Sequence, residues 1–130
     1  MKKILLVSGC SFTTRQYESH HHPEKDFSSY DKWPEMLAEK LNMQCVNLGK
    51  SGSGNEYVSN SIIDYIETMN NKSAIGLVLP AWTQCRRRDY QIYRTRAQID
   101  TWKCEMYDIF GDTRYWIRKS LKTYYFFQIY

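Results

Sequence analysis

Residues 4–12 read Ile-Leu-Leu-Val-Ser-Gly-Cys-Ser-Phe, an apolar run that stops at a glycine and is followed by a serine. A short continuous apolar run bounded by a turn residue is typical of a buried strand, here predicted over residues 3–8. Ser11 would then follow the carboxyl end of that strand. Ligands of open α/β sheets bind at this edge, so Ser11 is a candidate functional residue.

Two further segments repeat this arrangement along the chain. Residues 45–48 and 74–79 are short and apolar, and each is predicted as a strand. Helices are predicted from Trp33-Pro34-Glu35 to Leu41, through the apolar series Val58 to Met69, over residues 89–110, and after a cap at Asp112 or Thr113. The order β-loop-α-β-α-β-α-α favours a short parallel sheet with helices on its faces.

Bulk composition favours one globular domain over residues 1–130, since 42% of the residues are hydrophobic and 25% are charged. No apolar run approaches the roughly 20 residues that span a bilayer. The first residues predict a strand better than a signal peptide. The four scattered cysteines form no Cys-x-x-Cys pair, which favours neither a zinc site nor a disulfide framework and fits a cytoplasmic protein.

Charge is distributed unevenly between the two parts of the chain. Residues 1–85 carry eight Lys/Arg and nine Asp/Glu, whereas residues 86–130 carry ten and five, with seven of the eleven tyrosines. A basic aromatic region can bind nucleic acid, but amphipathic helices with basic outer faces are the favoured interpretation. Residues 124–130 are strongly apolar, and they predict core packing or a surface covered by further chain, or self-association if the segment is exposed.

Polar clusters follow all three predicted strands, and in a parallel sheet they meet at one edge. They contain Ser11, the Gly-rich turn 49–54 with Asn55, and the segment with Thr83 and Gln84. A hydroxyl beside exposed backbone N–H groups and polar side chains is the arrangement that acyl transfer needs. Ser11 is therefore the candidate nucleophile, and the candidate oxyanion or substrate-binding residues are Gly52, Asn55, Thr83 and Gln84.

On these segments the chain resembles the SGNH/GDSL-type hydrolases. Residues 9–12 stand where that family has Gly-Asp-Ser, residues 33–41 resemble the helix after its first loop, and residues 46–52 resemble its second block. The resemblance implies a three-layer α/β/α fold of the flavodoxin-like type. It also implies a serine esterase or acetylesterase with Ser11 as nucleophile, Gly52 as an oxyanion donor and no cofactor. The expected substrate is a small ester, an acylated carbohydrate or a lipid.

The chain departs from the family pattern at three places. Thr83 stands where the family has an oxyanion Asn, with Gln84 as the better chemical substitute. Cys10 replaces an Asp beside the nucleophile. The closing Asp-x-x-His block, which supplies the base, has no counterpart, since all three histidines are His20, His21 and His22.

Three explanations of the missing base remain open. In the first, the chain is a C-terminally truncated, incomplete hydrolase. In the second, it is a relative without catalysis that acts as a binding protein through its basic aromatic region. In the third, it is a hydrolase whose base comes from the His20–His22 loop. Other uses of these motifs are less favoured. The Gly-rich turn lacks a P-loop or dinucleotide pattern, three consecutive histidines rarely share a metal, and Arg86 to Arg88 predict a solvated helix start better than an anion site.

Overall fold

A computed structural model of the protein describes residues 1–16, 21–27, 29–92, 101–105 and 107–130. A parallel sheet lies at its centre, with strand order β2-β1-β3. The strands are β1 (Ile4–Ser8), β2 (Gln44–Asn47) and β3 (Ile75–Pro80). The prediction of three short parallel strands is confirmed, and the continuous apolar sequence of β1 follows from its central position with a neighbour on each side.

Two helices cover opposite faces of this sheet. They are α1 (Trp33–Lys40) and α2 (Asn55–Thr68). Leu5 and Val7 pack with Ala38 of α1 in the main core. On the opposite face, Ser8 lies 2.7 Å from Ser61 of α2, hydroxyl to hydroxyl. Because successive strand residues face opposite ways, β1 is buried on both sides.

The helix predicted over residues 89–110 is wrong for the described part of that range. Residues Arg88–Ile92 form β4 and Thr101–Glu105 form β5, which pair antiparallel with Asp89 opposite Cys104. Residues 93–100 and 106 lie outside the described residues. Strand pairing and packing of β4 against α2 override the near-helical spacing of the apolar residues. The favoured helix start at residues 86–88 is likewise wrong, and Arg87 is buried.

The last element is α3 (Thr113–Ile129), and its predicted cap is confirmed, since the Asp112 carboxylate accepts the Tyr115 N–H at 3.0 Å. Its inner face packs on Trp82, whose ring lies 4.5 Å from the Tyr124 ring and 5.4 Å from the Phe127 ring. All four cysteines are unpaired. Within the described residues, no helix is long and apolar enough to cross a membrane.

Candidate active site

The loops that follow β1, β2 and β3 are bonded to one another at the carboxyl edge of the sheet. The Gly9 carbonyl accepts the Lys50 N–H and the Ser53 hydroxyl, both at 2.9 Å. The Ala81 N–H donates to the Ser8 carbonyl at 2.8 Å. The three polar clusters predicted from the sequence therefore occupy one rim of the molecule.

Ser11 lies in a tight turn directly after β1. The N–H groups of Thr13 and Thr14 both donate to the Cys10 carbonyl, at 2.9 and 3.1 Å, which closes the turn around Ser11. Gly9 is required here, because a Cβ at this position would lie 2.8 Å from the Thr13 Cβ and 2.9 Å from the Ala81 Cβ. Ser11 itself is half-buried, so part of its surface stays open to solvent.

The turn with Ser11 is also tied to the loop after β2 through Asn47. The Asn47 amide donates to the Thr13 carbonyl at 2.7 Å, and its oxygen accepts the Gly49 N–H at 3.0 Å. A single side chain thus fixes the first two loops relative to each other.

Gly52 has the left-handed backbone conformation that glycine tolerates best, with φ of 78°. A Cβ built on it would contact nothing within 4 Å, so its surroundings are open. Among the described residues, neither the Gly52 nor the Ser11 N–H has a hydrogen-bond acceptor. Oxyanion sites are built from backbone donors that are unengaged in this way and that point to one position.

Thr83 contacts the first loop through Cys10. Burial raises the pKa of the Cys10 thiol, but the Phe12 N–H, the Thr83 hydroxyl and the Arg87 guanidinium lower it, and the resulting pKa lies below the ordinary value. The Thr83 backbone is fixed by Asn55, which accepts its N–H at 2.7 Å. Gln84 is exposed in the same loop.

Asn55 is engaged by other protein groups rather than pointing to a cleft. It is buried, and its amide lies within hydrogen-bond distance of the Thr83 carbonyl, Ser120 and Tyr124, at 3.0 to 3.1 Å. The side chain therefore joins α2, the loop after β3 and α3. This arrangement gives Asn55 a positioning role beneath the site.

Arg87 is a residue of the site that the sequence does not distinguish from its two arginine neighbours. Its guanidinium donates to the Ser53 carbonyl at 2.9 Å, and its Nε is buried with no hydrogen-bond partner among the described residues. A buried cation beside the rim makes the local field favourable to negative charge. The run Arg86 to Arg88 is the available signal, but composition alone does not show which of the three is buried.

The candidate bases lie outside this arrangement. His20 falls among the residues that are not described, and His21 and His22 are exposed. His22 lies 3.3 Å from the Glu24 carboxylate. Among the described residues, no cluster of His, Cys, Asp or Glu could hold a metal ion.

Comparisons with protein-family models, with curated proteins and with solved structures found no match for this chain.

Proposed function

We propose that the chain is a serine ester hydrolase of the SGNH type, with Ser11 as nucleophile. The observation that carries the proposal is the unengaged pair of N–H groups at Ser11 and Gly52, in loops bonded to each other. The resemblance of residues 9–12, 33–41 and 46–52 to the family blocks points to the same reaction and to its three-layer fold.

In this reaction the Ser11 hydroxyl oxygen attacks the ester carbonyl carbon, and its proton passes to a base. The Ser11 and Gly52 N–H groups stabilise the oxyanion, with the Thr83 hydroxyl or the Gln84 amide as a third donor. The alcohol leaves with the proton, and water then releases the acid from Ser11. The substrate class is a small ester, an acylated carbohydrate or a lipid.

The decisive experiment measures p-nitrophenyl acetate turnover by the full chain and by Ser11→Ala. A nucleophile removed in this way costs most of the rate above background, so we expect the variant to match the buffer control. Ser73→Ala is the matched control, since Ser73 is an exposed serine before β3, at the opposite edge of the sheet. Equal turnover by wild type and Ser11→Ala would overturn the proposal.

The base is tested separately, because the three histidines of the chain all lie at 20–22. If this loop supplies the base, replacing all three with Ala abolishes the Ser11-dependent turnover. Turnover that persists in the triple variant would exclude the histidines and leave another group as the base.

A further inference from the structure

Helix α3 carries cations on its surface without any compensating carboxylate of its own. Its 17 residues include Arg114, Arg118, Lys119 and Lys122 and no Asp or Glu. The preceding cap Asp112 is the nearest carboxylate in sequence, and it accepts the Tyr115 N–H. The helix is therefore a local source of positive potential in a chain of net charge +4.

The four cations divide into one inner and three outer groups. The Lys119 ammonium donates to the Asp108 carboxylate at 3.3 Å and to the Arg87 carbonyl at 2.9 Å, so its charge is used inside the protein. Arg114, Arg118 and Lys122 are exposed, and none of the carboxylates in the described ranges lies within ion-pair distance of them. These three cations are available to an external anion.

The three outer cations form one stripe, because residues four apart lie on the same side of a helix with a rise of about 6 Å between them. An open concavity of about 460 Å³ lies along this stripe and is lined by Arg114, Tyr115, Arg118, Lys119 and Lys122. The Lys119 ammonium lies 5.9 Å from the centre of the Tyr115 ring and borders the concavity from inside.

Exposed aromatic rings lie on the same face as the outer cations. Tyr115 and Tyr125 are each at least half exposed, at 50% and 61%, and helical geometry sets them beside the stripe. Exposed aliphatic side chains lie beside the stripe as well, Ile117 at 47% and Leu121 at 57%, so cations, rings and aliphatic groups are mixed on one face. A bilayer-binding helix instead separates an apolar face from a charged one, so this pattern does not favour a membrane.

We propose that the outer face of α3 binds single-stranded nucleic acid, a function independent of ester hydrolysis at the sheet edge. The phosphates contact Arg114, Arg118 and Lys122, and unpaired bases stack on Tyr115 and Tyr125. Single strands suit such a face because every base offers a π surface and the backbone follows a row of cations. The sequence alone favours a solvated basic helix, whereas the exposed, carboxylate-free stripe beside aromatic rings favours nucleic-acid binding.

The test is fluorescence anisotropy of a labelled 15-nucleotide oligothymidylate with the full chain at 50 mM salt. The variant Arg114→Gln/Arg118→Gln/Lys122→Gln should bind at least about 10-fold more weakly. Its three uncharged side chains no longer neutralise phosphates, so the counterions on those phosphates are not released. Lys2→Gln/Lys25→Gln/Lys40→Gln is the matched control, because it removes the same charge from exposed lysines on other segments. The control should stay within about twofold of wild type. The logarithmic salt slope should be about −2 for wild type and near zero for the α3 variant.

Stacking is tested by Tyr115→Leu/Tyr125→Leu, which keeps the charge and should weaken binding at least about 10-fold. Circular dichroism of each variant establishes that the fold is retained. Three outcomes would overturn the proposal: no binding at 50 mM salt, equal weakening by the two charge variants, or binding to 30% phosphatidylserine vesicles that exceeds binding to the oligonucleotide.

Discussion

Cys104 shows how strongly one residue's environment can set its chemistry. Its thiol is half-buried against β4 and donates to the Asp89 carboxylate. Burial, together with the nearby negative charge of Asp89, raises the pKa of Cys104 to about 12. The pKa of Cys10 shifts in the opposite direction, because hydrogen bonds and a guanidinium outweigh its burial. Four scattered cysteines look alike in sequence, and these differences arise only from tertiary contacts.

We expect Cys104 to make the protein less stable as pH rises from about 9 to about 12. Over that range the unfolded thiol is ionised while the folded thiol keeps its proton. The native state therefore binds more protons, and the free energy of unfolding falls with pH. Urea titrations between pH 8 and 11 should give a shallower decline for Cys104→Ser than for wild type. Identical slopes for the two proteins would contradict this assignment.

At the scale of elements, helix α2 begins with a cap that strand β4 supplies. Its N-cap residue is Gly54, which has no side chain to accept a hydrogen bond. The Asp89 carboxylate of β4 accepts the Gly54 N–H at 2.8 Å and the Tyr57 N–H at 2.9 Å. The strand pair β4–β5 thus stabilises the start of the helix that follows the Gly-rich turn.

Removing the Asp89 cap should lower the free energy of unfolding more than removing an ordinary helix cap does. Asp89→Ala leaves two N–H groups at the helix start without an acceptor in a buried place, so we expect a decrease of about 2–4 kcal/mol in the free energy of unfolding. Asp112→Ala is the comparison, because it deletes an exposed cap with one bond, worth about 1 kcal/mol. Chemical denaturation measures both. Equal decreases would show that the Asp89 cap stabilises the fold no more than an ordinary exposed cap does.

Asn55 connects three elements, and its replacement should loosen α3 specifically. Asn55→Ala removes the bonds to Ser120 and Tyr124 on the helix and to the Thr83 backbone. We expect hydrogen exchange of the α3 amides to accelerate by at least about 10-fold, while β1 remains protected. Asn60→Ala is the control, since that exposed amide bonds to the carbonyl of Glu56 in its own helix. Unchanged exchange in α3 would contradict the connecting role.

The parallel sheet could be predicted because its central strand is apolar on both faces, and a continuous run such as residues 4–7 has few other uses. The β4–β5 pair could not be predicted in the same way. Its alternation of a buried Asp89 and an exposed Tyr90 is a period-two pattern, but apolar residues nearby also fit a helix. A carboxylate can be buried in β4 because the start of α2 supplies N–H groups to it, and this contact is not visible in the sequence.

The candidate site, like the fold, could be predicted from the sequence only in part. The positions of Ser11 and Gly52 were predictable, because strand ends and glycines are marked by local sequence. Arg87 and the engaged state of Asn55 depend on contacts between residues more than 25 positions apart, which one sequence does not display.

For the molecule as a whole, Lys119 is the charge that joins α3 to α2 and to the loop after β5. Its ammonium lies 3.3 Å from Asp108 and 3.7 Å from Glu56. Burial raises the pKa of Asp108, but the Phe110 N–H and Lys119 lower it, and the resulting pKa is below the ordinary value. Burial raises the pKa of Glu56, and Lys119 only partly offsets that effect. The two carboxyls therefore affect acid stability with opposite signs.

We expect Asp108→Asn and Glu56→Gln to change the pH profile of stability in different windows. Folded Asp108 has a lowered pKa, so its contribution is present above the unfolded value near 3.8 and disappears as pH falls. Asp108→Asn should lower the free energy of unfolding by about 1–2 kcal/mol at pH 7, because it weakens a charge-assisted hydrogen bond while Lys119 keeps its other partners, and it should flatten the acid decline. Folded Glu56 has a raised pKa, so its ionisation lowers stability as pH rises above 4.5, and Glu56→Gln should remove that decline.

Urea titrations from pH 3 to 7 separate the two effects. Parallel profiles for the two variants would show that Lys119 does not couple these elements, and α3 would then be held mainly by Trp82 and Asn55.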